Sequence, residues 1–274
     1  MAALPARGLA AEIGCWLDAG VVVVPAEVGG VAGDFILDTG AARTLLSADR
    51  ALAAGFETDA FAADVRLAGV AASRAPVAAE GLDLRTWNLP TPVAGVIGTD
   101  VLGAYVVDVS FAPCRVRLSA PGAAPRLRGA RRLPIAWAGG RPTVTAEAFD
   151  GERRLIGPFL IATGANAPVR LADDLAGVTG GAPPAELYPH GVWLARLPGL
   201  RLAGLGRSDL AAGLAKPEPD VAGVLGPGAL AGLRLRFDFP GRRLWIAPSP
   251  PPRGKPGRPR GLVSAPRCAR RACS

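Results

Sequence analysis

The chain repeats itself, and that constrains it more than any other feature. Phe35-Ile36-Leu37-Asp38-Thr39-Gly40-Ala41 returns 124 residues later as Phe159-Leu160-Ile161-Ala162-Thr163-Gly164-Ala165. "GVIGTDVLGAYVVDVSFAPCRVRLSA" (95–120) returns 128 residues on as "GVLGPGALAGLRLRFDFPGRRLWIAP" (223–248). Two unrelated blocks recurring in one order at nearly one spacing mark an internal duplication. The chain must therefore fold as two like units, each with its own core and each packed on the other.

Each unit reads as strands. "VVVVPAEV" and "DFILD" are short, apolar and bounded by glycine, while "YVVDVSF" and "LRLRFDF" alternate and turn back through Pro/Gly into "RVRLS" and "RRLWIA". "VRLAGV" (65–70) reads as one further alternating strand. Helix is expected only in short pieces: "SADRALAAG" (47–55) with Ser47 as N-cap, and the segments just after Gly98 and Gly226. The expected fold class is all-β, with a first lobe over 12–120, a joint over 121–132, a second lobe over 133–250 and a basic Pro/Gly/Arg tail over 251–274.

The net charge of +8 suggests nucleic acid, but its placement argues otherwise. Arg253, Lys255, Arg258, Arg260, Arg267, Arg270 and Arg271 all sit in the tail, which has no acid, so the remaining body is nearly neutral. The tail's composition is that of a solvated segment with too little apolar surface to order itself; contact with nucleic acid or an anionic membrane is the secondary expectation. Cys15, Cys114, Cys268 and Cys273 lack metal-ligand spacing, and the single histidine, His190, cannot build a multi-histidine site, so no metal or other cofactor is expected. A bridge between Cys268 and Cys273 is conceivable from proximity, with the pairing left open. The first residues lack an apolar run long enough for a signal peptide, and no run reaches membrane-spanning length; export remains compatible with a trimmed start. Gly226-Pro227-Gly228 faintly suggests a dinucleotide loop, but a β-hairpin follows it and its repeat partner lacks the middle glycine.

An apolar strand ending in Asp-Thr-Gly delivers a carboxylate on a tight loop, with glycine permitting close approach of a second loop and an amide donor to the carboxylate. "FILDTGA", followed about sixty residues later by "GVIGTDVLGAYVVDVSF", resembles the retropepsin-like branch of the pepsin-type aspartic peptidases. The resemblance runs through both lobes, roughly residues 20 to 248. It implies a bilobal pepsin-like β-barrel fold with a cleft for extended peptide, peptide-bond hydrolysis without a cofactor, and a hairpin over the cleft near residues 60–75. By position it makes Asp38 the catalytic aspartate, held by Thr39 and Gly40, and faces it with Ala162, Thr163 and Gly164 from the second lobe.

Ala162 departs from that pattern. The family's two aspartates share one proton, one activating water and the other polarising the scissile carbonyl, and a methyl group does neither. The sequence leaves several readings open. Asp38 activates water and hydrolyses peptides with an acid recruited elsewhere or across two chains; the chain is a pseudopeptidase that only binds extended peptides; or Ala162 replaces a natural aspartate. Asp100 and Asp108 read as structural, and Asp173 and Asp174 as surface acids, so no substitute acid is evident.

Overall fold

The computed structural model describes residues 11–86, 88–149, 153–171, 185–187, 192–214 and 219–249. The tail, Asp173, Asp174, His190, Cys268 and Cys273 lie outside them.

The first repeat contributes β1 (Glu12–Gly14), β2 (Trp16–Asp18), β3 (Val21–Val28), β4 (Val31–Leu37), β5 (Thr44–Ser47), α1 (Ala48–Ala53), β6 (Ala60–Leu67), β7 (Val70–Glu80), α2 (Asp83–Thr86), β8 (Gly95–Ile97), α3 (Thr99–Leu102), β9 (Val106–Phe111) and β10 (Cys114–Ser119). The second contributes β11 (Arg131–Pro134), β12 (Ala136–Ala138), β13 (Arg141–Phe149), β14 (Arg154–Ile161), β15 (Val169–Leu171), β16 (Ala185–Leu187), β17 (Val192–Leu202), β18 (Leu205–Leu214), β19 (Gly223–Leu225), α4 (Pro227–Leu230), β20 (Leu233–Asp238) and β21 (Arg243–Pro248).

In the first lobe the strand order β3-β4-β8-β5-β7-β6 is closed by pairing of β3 with β6; in the second, β13-β14-β19-β15-β18-β17 is closed by β13 with β17. Closure removes the open sheet edges that a duplicated β-lobe would otherwise expose. Within each barrel a short central strand runs parallel to the strand that precedes the repeated Thr-Gly: β8 beside β4, and β19 beside β14. Phe35 and Leu37 in one lobe, and Phe159 and Ile161 in the other, point into a main core that is continuous through the molecule. A third sheet, β1-β10-β9-β20-β21-β11, joins the lobes through antiparallel pairing of β9 with β20. The fold class is thus all-β with two homologous barrel lobes, as the repeat implies.

Some expectations need correction. Residues 65–70 are not one strand: Ala68 (φ 50°) and Gly69 (φ 75°) form the tight turn between β6 and β7. Ala68 of that turn is buried and Gly69 exposed, and the flanking strands are tied to the barrel, with Leu67 opposite Ala26 and the Tyr105 hydroxyl donating to the Ala71 carbonyl oxygen (3.3 Å). The hairpin expected to overhang the cleft is therefore built into the first barrel. Ser47 does precede α1, but its side chain makes no capping bond. Among the described residues the two cysteines pair as Cys15–Cys114, fastening the β1–β2 junction to β10.

Candidate active site

The two Thr-Gly loops meet between the lobes. Thr39 Oγ1 donates to the Ile161 carbonyl oxygen (2.5 Å) and accepts from the Thr163 amide (3.3 Å). Thr163 Oγ1 donates to the Leu37 carbonyl oxygen (2.5 Å) and accepts from the Thr39 amide (3.0 Å). Both threonines are fully buried, so these four interlobe bonds form in low dielectric, where leaving any of the groups unpaired would be costly. The Val22 amide adds another crossing bond to the Thr163 carbonyl oxygen (2.9 Å).

This lock sets the neighbouring residues. The parallel pairing of β4 with β8 continues one step past Leu37, with the Asp38 amide donating to the Ile97 carbonyl oxygen (3.0 Å). The Asp38 carboxylate, 6% exposed, accepts at Oδ1 from the amides of Gly40 (2.7 Å) and Gly164 (3.2 Å). Two amide donors on one carboxylate oxygen favour its ionised form. Gly164 is required for space: a Cβ there would stand 2.7 Å from Asp38 Oδ2. A Cβ on Gly40 would overlap the Ala162 methyl. The two loops are therefore related as mates, Asp38 lying against Gly164 and Ala162 against Gly40. The position across from Asp38 carries a methyl group.

The surrounding acids are engaged elsewhere. Asp100 accepts from the Thr44 amide (2.8 Å) and hydroxyl (2.7 Å) and from the Val101 amide (2.9 Å), the structural role expected of it. In the second lobe Gly228 replaces it, packed on Pro168. Proline has no amide to satisfy, so the acid is dispensable there. Asp108 is held by Arg236 across β9 and β20. Among the described residues no cluster of His, Cys, Asp or Glu is suited to a metal ion. Two surface cavities, of about 250 and 680 Å³, lie by the interlobe sheet and the 122–130 segment, and neither is lined by Asp38.

The strand faces that lead to Asp38 and to Ala162 differ between the two lobes. Ile36 is two residues before Asp38 and shares its face of β4; Leu160 stands likewise to Ala162. In the first lobe that face holds Val21, Val23, Ile36, Leu45 and Val96, and Leu82 and Val93 from the α2 segment pack over it. Among the described residues of the second lobe the corresponding cluster comprises Ala138, Leu160 and Val221, with Val224 packed against it. The matched sequence blocks did not show this difference, because Val21, Val23, Leu45, Leu82 and Val93 all lie outside them.

Residues 24–108 match the model of the aspartyl protease family. No curated protein matches the chain. Among solved structures, the aspartic proteinase from Irpex lacteus is similar over 88% of this chain and 98% of its own, with a TM-score of 0.57 and 13% sequence identity. At that identity the likeness speaks for the fold, and it spans both lobes. The family match covers the Asp38 loop, β8 and the first half of β9. The chain is a bilobal protein of pepsin-like fold whose first lobe matches the aspartyl protease family model over residues 24–108.

Proposed function

We propose that this chain holds an extended peptide in the cleft between its lobes and has lost the two-carboxylate chemistry of its family. One observation carries the reading: where a second aspartate would face Asp38, the Ala162 methyl packs against Gly40. Asp38 alone can take a proton from water, but hydrolysis also needs an acid to polarise the scissile carbonyl and protonate the leaving amine. The interlobe lock, the barrels and the joining sheet are all retained, so the binding geometry outlives the chemistry. Recognition of an extended strand relies on main-chain hydrogen bonds and side-chain pockets, neither of which needs a dyad. The Cys15–Cys114 bridge fits an oxidising compartment and hence an exported protein.

A second reading has its own support. Asp38 keeps both amide donors and its place in the lock, a provision that a binding module does not need. Under that reading Asp38 works with an acid from elsewhere. Supply of that acid by a second chain is disfavoured, because the second lobe of the same chain already fills the facing position.

A mixed peptide library incubated with the native protein, Asp38→Asn and Ala162→Asp between about pH 3 and 7 separates the readings. The expected outcome is no cleavage by the native chain, capture of peptides by both native protein and Asp38→Asn, and cleavage at acid pH by Ala162→Asp. Native cleavage that disappears in Asp38→Asn would overturn the binding reading in favour of a surrogate acid.

A further inference from the structure

The registers of the two barrels allow a residue-by-residue comparison of these strand faces. In the first lobe Val23 lies opposite Ile36, Ile36 opposite Val96, and Val96 opposite Leu45, giving a four-strand row that is apolar throughout and at most 4% exposed. In the second lobe Thr143 lies opposite Leu160, Leu160 opposite Val224, and Val224 opposite Arg170. Arg170 thus occupies the place of Leu45, in the row that contains the residue two before Ala162.

An arginine in place of a core leucine pays a desolvation cost that an apolar residue would avoid, and burial lowers its pKa. Its placement is nonetheless defined. One guanidinium nitrogen, Nη2, donates to Asn166 Oδ1 at 2.6 Å, and Asn166 lies two residues past Gly164, whose amide holds Asp38. Nε is buried with no hydrogen-bond partner. Ala42 stands in the first lobe where Asn166 stands in the second, so the arginine and its anchor are both peculiar to the second lobe. No carboxylate is recorded as an ion-pair partner for Arg170 among the described residues. A half-buried, oriented cation with a donor to spare is what a carboxylate ligand requires.

We infer that Arg170 makes the second-lobe wall of the cleft a subsite for an acidic side chain, so that the bound peptide carries Asp or Glu at the position meeting this wall. The inference rests on the peptide-binding reading and adds to it a substrate class. The first lobe, with its apolar row already packed under Leu82 and Val93, offers no such charge, so selectivity is one-sided along the peptide.

The test is binding of fluorescent extended peptides, drawn from the library and paired as Glu/Gln at each position in turn, to the native full chain, Arg170→Leu and Arg170→Lys. Arg170→Leu installs the residue of the other lobe, and thermal unfolding of both variants establishes that they are folded. At one peptide position the native chain is expected to favour Glu over Gln by about tenfold; Arg170→Leu abolishes that ratio, and Arg170→Lys keeps part of it. Peptide binding with no acidic preference, or a preference that survives in folded Arg170→Leu, overturns the subsite and leaves the peptide reading standing. Failure of every peptide to bind the native chain overturns both.

Discussion

At the scale of single residues, the interlobe lock depends on two hydroxyl groups that each donate and accept within a dry interior. Replacing Thr163 by Val keeps the volume but removes the donor to Leu37 and the acceptor for Thr39. Two buried backbone groups would then be left without partners, at about 1–3 kcal/mol each. Thr163→Ser keeps the hydroxyl and loses only a methyl. Urea unfolding is expected to show Thr163→Val less stable than native by about 3 kcal/mol, with Thr163→Ser within about 1 kcal/mol. Equal losses in the two variants would mean that packing, not the lock, fixes this residue. The Asp38-Thr39-Gly40 loop was legible in the sequence because its residues are contiguous and its Thr-Gly recurs in the second repeat as Thr163-Gly164. Arg170 was not legible. Matching it to Leu45 requires knowing that β15 and β5 occupy the same place beside β19 and β8, and the offset there is one residue longer than at the loop.

Elements show the same pattern, with local features readable and cross-strand ones hidden. The β9–β10 and β20–β21 hairpins followed from alternation and turn residues, and the short helices after Gly98 and Gly226 appeared where expected. The Ala68–Gly69 turn was read as mid-strand because alanine rarely adopts positive φ, and only the barrel-closing pairing with β3 makes the bend evident. Two side chains that look alike in a capping argument differ sharply in the fold. Ser47 precedes α1 without a side-chain capping bond, whereas Asp100 at the start of α3 accepts one hydrogen bond from the Val101 amide and two from Thr44 that tie that helix to β5. Ser47→Ala should therefore change stability by less than about 0.5 kcal/mol, below the usual loss for a true N-cap. Asp100→Ala should cost about 2–4 kcal/mol, since it orphans the Thr44 amide and hydroxyl. Equilibrium denaturation of both variants checks the contrast, and a larger loss for Ser47→Ala would reverse the assignment.

For the whole molecule, the question is what makes the two lobes partners of each other and not of a second chain. Asp108 and Arg236 hold the same position in the two repeats, and β9 and β20 bring them directly opposite in the joining sheet. Their contacts are bidentate, at 2.6 and 2.9 Å, and Arg236 is only 8% exposed. Across β1, β10, β9 and β20 the row reads Glu12, Arg117, Asp108, Arg236, alternating in sign. Two first lobes meeting through β9 in this register would instead set Asp108 against Asp108, and two second lobes would set Arg236 against Arg236. The different charges at this one repeat position thus make each lobe's strand the complement of the other, as like charges directly opposed across a strand pair are destabilising. Asp108→Arg and Arg236→Asp should each destabilise the chain by about 3 kcal/mol, because each leaves a poorly solvated charge facing its own sign. The exchanged double variant should regain about 1–3 kcal/mol of the summed loss, the range of coupling for residues in direct contact. Recovery will be incomplete, because an arginine at 108 would also face Arg117 and an aspartate at 236 would lose the bond that Arg236 makes to the Pro125 carbonyl oxygen. Strict additivity of the two losses would mean that the hydrophobic seam alone aligns the lobes and that the charges only accompany it.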